Sequence, residues 1–206
     1  MLSNHRRQCG LRYMLLAGVM VIGPWSHTAH AGQTPAGPQD LKAPGFQEFS
    51  DRVQKYLRVH KSVEGTLPKL KSTSDPAVIE RHQKAFGRKI KVTRAHAKRG
   101  DIFTPAATDE FKKAITSEFR SPRAPNAQAT ITQGAPLKEV HLRVNQLYPE
   151  SVPFTSVPPS LLQNLPKLPE EIAYRVAGHD FVLMDVSANL VLDLIPGVIP
   201  AQASGE

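Results

Sequence analysis

Seven basic side chains recur along one predicted helix. Their type and spacing make them the strongest candidates for a functional site in this sequence. On a helical wheel they occupy an arc opposite an apolar stripe, with Glu80 as the one acid among them. The set is Arg81, Lys84, Arg88, Lys91, Arg94, Lys98 and Arg99. Like charges at this spacing repel one another unless acidic residues four positions away relieve the repulsion, and such acidic partners are expected to be missing here. The pattern predicts a surface that docks an anionic lipid, lipopolysaccharide or an envelope protein; the alternative is a merely solvated cationic face.

A single carboxylate is the second candidate. In the β-meander predicted below, Asp185 lies on the apolar face of the sheet. A buried carboxylate destabilises the fold unless it is hydrogen-bonded, so Asp185 is either a structural residue that accepts backbone N–H groups beside a turn or part of a functional site. In the second case the protein would be a small hydrolase with a site between its helical and β regions, using Asp185 and His141.

Other catalytic chemistry is not indicated. The chain contains no GxSxG or SxxK motif and no glycine-rich phosphate loop. His179 and Asp180 are adjacent, but Gly-His-Asp is ordinary in a tight turn. We therefore predict no catalytic residue and no cofactor, which makes a non-catalytic binding protein the favoured class.

Metal binding is also not indicated. Five histidines follow residue 31, at His60, His82, His96, His141 and His179, and no HxxxH or HxH pair occurs among them. His82 and His96 would lie about 21 Å apart along one helix, beyond the reach of one metal ion. The first three fall on apolar arcs and are predicted to be core histidines with a hydrogen-bond partner.

The first 31 residues have the three parts of a secretory signal. His5, Arg6, Arg7 and Arg12 precede a mostly apolar run of 13 residues, and Ala-His-Ala at 29–31 precedes Gly32. The run is shorter than the roughly 20 residues that cross a bilayer, so we predict cleavage after Ala31 and export, to the periplasm or the medium, of a protein without a membrane span. The remaining 175 residues contain neither Cys nor Trp. Disulfides and thiol chemistry are thereby excluded, and nucleic acid is disfavoured as a partner.

Charge divides the exported part into a basic front and an acidic back. Residues 50–123 carry 18 Lys or Arg and 8 Asp or Glu, whereas residues 124–206 carry 4 and 8. Between them, residues 121–136 (SPRAPNAQATITQGAP) have the composition of a linker.

The front half is predicted to form three amphipathic helices, which position the basic arc. Apolar periodicity predicts the first over residues 46–63. Asp75-Pro76 starts the second, which has an apolar stripe, weakened in its middle by Gly87, and ends near Gly100. The stripe consists of Val78, Ile79, His82, Phe86, Ile90 and Ala97. Thr104-Pro105 starts the third helix, which ends at Pro122.

The back half is predicted to consist mainly of β-strands. Alternation predicts a strand at residues 140–144, followed by a Pro-rich segment with a short helix near 160–165. Residues 172–195 form a predicted three-strand meander with two-residue turns at 178–179 and 188–189, which places Asp185 opposite Leu192. One face of this sheet is then apolar, with Ile172, Tyr174, Val176, Phe181, Leu183, Leu190, Leu192 and Leu194.

Three strings resemble a group of bacterial exported proteins that have no assigned function. They are residues 98–105 (KRGDIFTP), 168–175 (LPEEIAYR) and 185–196 (DVSANLVLDLIP), and the resemblance extends over most of the exported part. Residues 174–195 are also faintly similar to the C-terminal hairpin of periplasmic nickel and cobalt homeostasis proteins, but carry no metal ligand set. Neither resemblance implies an activity or a metal site here.

The sequence thus predicts an α+β protein in which about three basic amphipathic helices precede a small antiparallel β-meander. The predicted segments are a signal peptide at 1–31, a flexible segment at 32–44, a basic helical region at 45–120, a linker at 121–136, a β region at 137–200 and a disordered tail at 201–206. Besides the basic arc, an apolar patch in the Pro-rich segment at 152–168 is a further candidate for protein interaction.

Overall fold

Five helices and then three strands follow one another in the part of the chain that the structure describes, which is residues 40–132, 139–153 and 155–201 of a computed structural model. The chain divides into two units, Met1–Gln33 and Thr34–Glu206, and all described residues lie in the second. The α+β prediction is confirmed. The predicted signal peptide, most of the segment at 32–44 and all but the first residue of the tail lie outside the described residues.

Three amphipathic helices form the front half, as the periodicity predicts. Helix α1 spans Pro44–Glu64, α2 spans Pro76–Thr93 and α3 spans Pro105–Arg120, and each begins with proline at its first turn. The Asp75 carboxylate caps α2 by accepting the backbone N–H of Ala77 at 2.9 Å. The predicted starts of α2 and α3 and the predicted extent of α1 are therefore confirmed.

Helix α2 is shorter than predicted because a distant residue caps its C-terminal end. The Asn145 side-chain amide donates to the backbone carbonyls of Lys91 at 2.9 Å and Arg94 at 2.8 Å. The predicted stripe is correct at Phe86 and Ile90, which are buried, whereas Ile79 is 43% exposed. Ala97 follows the end of the helix, and Gly87 is buried in its middle.

The predicted linker is not an unstructured segment in its described part. Residues Ala124–Thr132 form helix α4, and its Ala127 and Ile131 are buried. The two apolar side chains lie four residues apart and so share one face, which packs against α3. Composition alone missed this short helix, because alanine and threonine are common in linkers as well.

The strand predicted at residues 140–144 is absent from the described structure. Its side chains do alternate between exposed and half-buried, but the backbone has no ladder partner until Leu147 bridges Leu190. The short helix in the Pro-rich segment is confirmed as α5, Pro159–Leu162.

The meander has strand order β1-β2-β3, with β1 at Ile172–Ala177, β2 at Asp180–Asp185 and β3 at Leu190–Ile195. The first turn is confirmed, since Val176 pairs with Phe181. The second prediction is wrong, because Asp185 pairs with Leu190 across a four-residue connection. The register shifts by a β-bulge between the Leu183 and Met184 pairs, where β3 has one extra residue. Because of this extra residue, Leu192 still faces the helices, as predicted.

One core joins the helical front to the sheet. Phe49, Phe103, Phe111, Tyr174 and Phe181 make stacked or edge-to-face ring contacts with centroids 4.8–6.2 Å apart. A smaller cluster on the opposite sheet face contains Leu194, which the predicted register placed on the helix side. The two halves of opposite charge are thus not separate folding units within the described residues.

Candidate functional site

The basic arc of α2 is largely exposed, as a docking surface would require. Arg81, Arg88 and Lys91 lie on the solvent side of the helix, and Lys98 and Arg99 lie in the loop that follows it. None of these five forms an ion pair with another described residue. Their charges are therefore neither neutralised nor buried by the fold.

Lys84 differs from its neighbours because it has acidic partners. Its ammonium pairs with Glu80 on the same helix and with Glu150, 3.0 Å away. These contacts raise the pKa of Lys84, chiefly through the hydrogen bond to Glu80. Lys84 is the one cation of the arc for which the expected lack of acidic partners is wrong.

Arg94 does not lie on the exposed arc. Its guanidinium carbon lies 5.0 Å from the centroid of the Tyr56 ring, and its Nη2 donates to the Leu192 carbonyl at 3.3 Å. Burial, only partly offset by the neighbouring phenol and carboxylates, lowers its pKa. The chain turns inward here because α2 ends at Thr93, so the wheel that predicted Arg94 no longer applies.

Two depressions lie along one side of α2, the first beside the last turn of α1 and the second beside the segment 67–73, and we name them together the α1–α2 groove. Their volumes are ≈ 440 and ≈ 480 Å³. They are lined by Ser62, Val63, Thr66, Leu67, Pro68, Lys69, Leu70, Lys71, Thr73, Val78, Arg81, His82, Ala85, Arg88, Lys89, Val92 and Thr93. Five of these lining residues are Lys or Arg and none is Asp or Glu. The groove is therefore lined by positively charged and by apolar side chains.

Asp185 is fully buried, and both of its carboxylate oxygens accept hydrogen bonds. Its Oδ2 accepts from the Tyr56 hydroxyl and from His60 Nδ1, each at 2.5 Å, and its Oδ1 accepts the Ala188 N–H at 2.7 Å. The predicted backbone contact beside a turn is present, and two side chains of α1 complete the set. This cluster joins α1 to the connection between β2 and β3.

The Asp185 cluster shifts the titration of both α1 side chains. Burial by itself lowers the pKa of His60, but the hydrogen bond and charge of Asp185, with Glu64 and Glu171 further away, outweigh it and raise the pKa above 6.5. Burial and then the Asp185 charge raise the pKa of Tyr56 far above its ordinary value, so the phenol stays protonated. The contact with Asp185 therefore favours the protonated form of His60.

The two residues proposed for a hydrolase do not come together. His141 has a side chain that is 88% exposed and lies 3.8 Å from Glu139, whereas Asp185 is 0% exposed and contacts α1. Among the other histidines, His60 is a core histidine with a partner, as predicted. His96 is exposed, so the prediction of a core position for it is wrong.

Asp193 is a second buried carboxylate, which the predicted register did not place on the helix side of the sheet. It accepts backbone N–H groups of Ile102 at 2.8 Å, Phe103 at 2.9 Å and Gly100 at 3.1 Å. The bulge in β3 places it opposite Leu183 on the helix side of the sheet. The signal in the sequence was Gly100 itself, since a glycine after a predicted helix marks a turn whose backbone amides need an acceptor.

The described residues offer neither a metal cluster nor a membrane-crossing helix. No three His, Asp or Glu side chains among them are placed to hold a metal ion. None of the described helices combines the length and the apolar composition needed to span a bilayer.

Comparison with known proteins gives no relative from which a role could be transferred. No family model, curated protein or solved structure matches this chain. The functional interpretation therefore depends on the geometry described above.

Proposed function

We propose that the chain is an exported binding protein that docks an anionic surface through the basic face of α2. The observation that carries the proposal is the exposure of Arg81, Arg88 and Lys91 without an acidic partner among the described residues. Like charges on one helix destabilise it, and an anionic ligand would convert that repulsion into binding.

The charge around the α1–α2 groove supports this proposal. Residues 61–99 contain eleven Lys or Arg against three Asp or Glu, although the whole chain has a net charge of only +8. Each Lys or Arg close to an anionic lipid surface contributes about 1 kcal/mol to binding. A few cations acting together are therefore sufficient for reversible attachment.

The first 31 residues support an envelope location for the partner. A cationic head, a short apolar run and Ala-His-Ala before Gly32 are typical of a cleaved secretory signal. Phosphate-bearing lipids and lipopolysaccharide are the abundant anions that an exported bacterial protein would meet.

Co-sedimentation of residues 32–206, which include the whole unit Thr34–Glu206, tests this function. The probes are vesicles of phosphatidylglycerol, vesicles of phosphatidylcholine and purified lipopolysaccharide. We expect binding to one or both anionic probes at low salt and its loss at high salt, because the Debye length falls from about 10 Å at 0.1 M to about 3 Å at 1 M. Binding to phosphatidylcholine alone, or to none of the probes, would contradict the proposal.

The contacts of Asp185 favour a structural role over the hydrolase alternative. Asp185 is 0% exposed, and its two side-chain partners, Tyr56 and His60, are no more than 4% exposed. The Pro-rich segment likewise turns Val157, Leu161 and Leu165 inward and leaves Leu162 as its exposed large apolar side chain among the described residues. Neither alternative has an observation in its favour that equals the exposed cations.

A further inference from the structure

The α1–α2 groove exposes apolar side chains beside its cations. The described residues include six large hydrophobic side chains that are exposed, and two of them, Leu70 and Val92, line this groove. Val92 is 75% exposed, whereas the next highest value is 44%. An isolated exposed aliphatic residue needs no explanation, but a cluster along one groove does.

The spacing along α2 continues this pattern. Val78, Ala85 and Val92 are seven residues apart, so they follow one line on the helix surface. Arg81 and Arg88 lie on one side of that line, and His82 and Lys89 lie on the other. This line is separate from the buried stripe of Phe86 and Ile90; Ala85 and Val92 on it are exposed, and Val78 is half-buried.

Charge complementarity decides what covers the groove. Five Lys or Arg line it and no acid does, which fits a partner with many phosphates. A soluble polyanion would neutralise the cations but leave Leu70 and Val92 in water. A bilayer of anionic phospholipid satisfies both, since aliphatic side chains enter the acyl region while long basic side chains reach the phosphates.

We propose that the α1–α2 groove binds an anionic phospholipid bilayer by inserting Val92 and Leu70 among the acyl chains while Arg81, Arg88 and Lys89 contact the phosphates. This inference rests on the proposed function, and it adds the identity of the anionic surface and an apolar component of binding. In this arrangement α2 lies along the membrane surface.

Tryptophan fluorescence tests insertion directly. Residues 32–206 contain no Trp, so Val92→Trp introduces a single reporter at the groove. The probe is a phosphatidylglycerol vesicle with bromine atoms on the acyl chains, which quench tryptophan on contact. We expect the emission of the Val92→Trp protein to shift to shorter wavelength and to be quenched.

Matched variants control for position and for folding. Leu162→Trp places the same reporter at another exposed aliphatic site, on α5, and its emission should neither shift nor be quenched. Val92→Ser should bind vesicles about tenfold more weakly, because burial of a valine side chain in an apolar phase is worth about this ratio. Both sites are exposed, so the helical circular dichroism spectrum should match that of the unsubstituted protein.

Failure of insertion and failure of docking are distinguishable. Salt-sensitive sedimentation with anionic vesicles, combined with unshifted and unquenched Trp emission at residue 92, would overturn insertion and leave the proposed function intact. The same emission shift on a soluble polyanion, such as polyphosphate, would also overturn insertion. Loss of sedimentation with every anionic probe would overturn both.

Discussion

Asp185 connects the first helix to the sheet through three hydrogen bonds, two of which come from side chains of α1. Removal of one partner from a buried charged pair typically costs about 3–5 kcal/mol, because the remaining group is left without compensation. The stability of the fold therefore depends on this carboxylate more than on any exposed charge described above.

We expect Asp185→Asn to lower the free energy of unfolding by about 3 kcal/mol, measured by urea unfolding followed by circular dichroism. Asp51→Asn is a matched control, because Asp51 is exposed on the same helix that carries Tyr56 and His60. Unchanged stability of Asp185→Asn would contradict a structural role and would favour the hydrolase alternative.

The same cluster predicts a pH dependence of stability. The folded-state pKa of His60 is raised above 6.5, so its protonation stabilises the folded state. This stabilisation is fully present below about pH 6.5 and is lost as the pH rises through the folded-state pKa of His60. The urea midpoint should fall over that interval.

His60→Asn should remove this fall in the midpoint above about pH 6.5, while His141→Asn should retain it, because the imidazole of His141 is exposed. A pH profile of His60→Asn that parallels that of the unsubstituted protein would show that another group causes the effect.

The sequence predicted the positions of some site residues correctly and of others wrongly. The inward position of Asp185 followed from the alternation of β2, because a side chain that shares a face with Leu183 is buried regardless of the turn that follows. Its partners Tyr56 and His60 could not be predicted, since 125 or more residues separate them from Asp185. Arg94 was misplaced because a helical wheel assumes that the helix continues.

At the scale of elements, Gly87 determines how closely α2 approaches the sheet. A Cβ at this position would lie 2.3 Å from the Ala188 carbonyl oxygen and 2.4 Å from a methyl carbon of Leu147. Glycine weakens an isolated helix, as the sequence analysis noted, but here it permits contact between a helix and a backbone turn.

Gly87→Ala should lower the free energy of unfolding by about 1–3 kcal/mol, because overpacking outweighs the gain of up to about 1 kcal/mol in helix propensity. Gly65→Ala is the control: the nearest atom to its Cβ would be 3.5 Å away and its φ is −61°. Urea unfolding measures both. Equal effects of the two substitutions would mean that α2 can move away from the sheet at little cost.

Elements with strong local signals were predicted well, and those set by distant contacts were not. Pro76 and Pro105, with their capping residues, fixed two helix starts from a few neighbouring residues. The end of α2 depends on Asn145, some fifty residues away, and the register of β3 depends on a bulge. Neither leaves a local pattern, because the competing arrangements bury similar apolar side chains.

At the scale of the whole molecule, the separation of charge does not coincide with a separation of folding units. The basic helices and the acidic β region share one aromatic core in the described residues. The helices that carry the α1–α2 groove are therefore packed against the sheet. Charges on the surface of the groove can therefore change without disturbing the core, which makes substitution of these residues a selective test.

Charge reversal on α2 is the sharpest test of docking through its basic face. The double variant Arg81→Glu, Arg88→Glu is compared with Lys112→Glu, Arg120→Glu, which changes the net charge equally at exposed positions of α3. We predict that the α2 variant no longer sediments with phosphatidylglycerol vesicles at low salt, while the α3 variant retains most of its binding. Equal loss of binding in both variants would contradict the account, because attraction would then follow net charge rather than the basic face of α2.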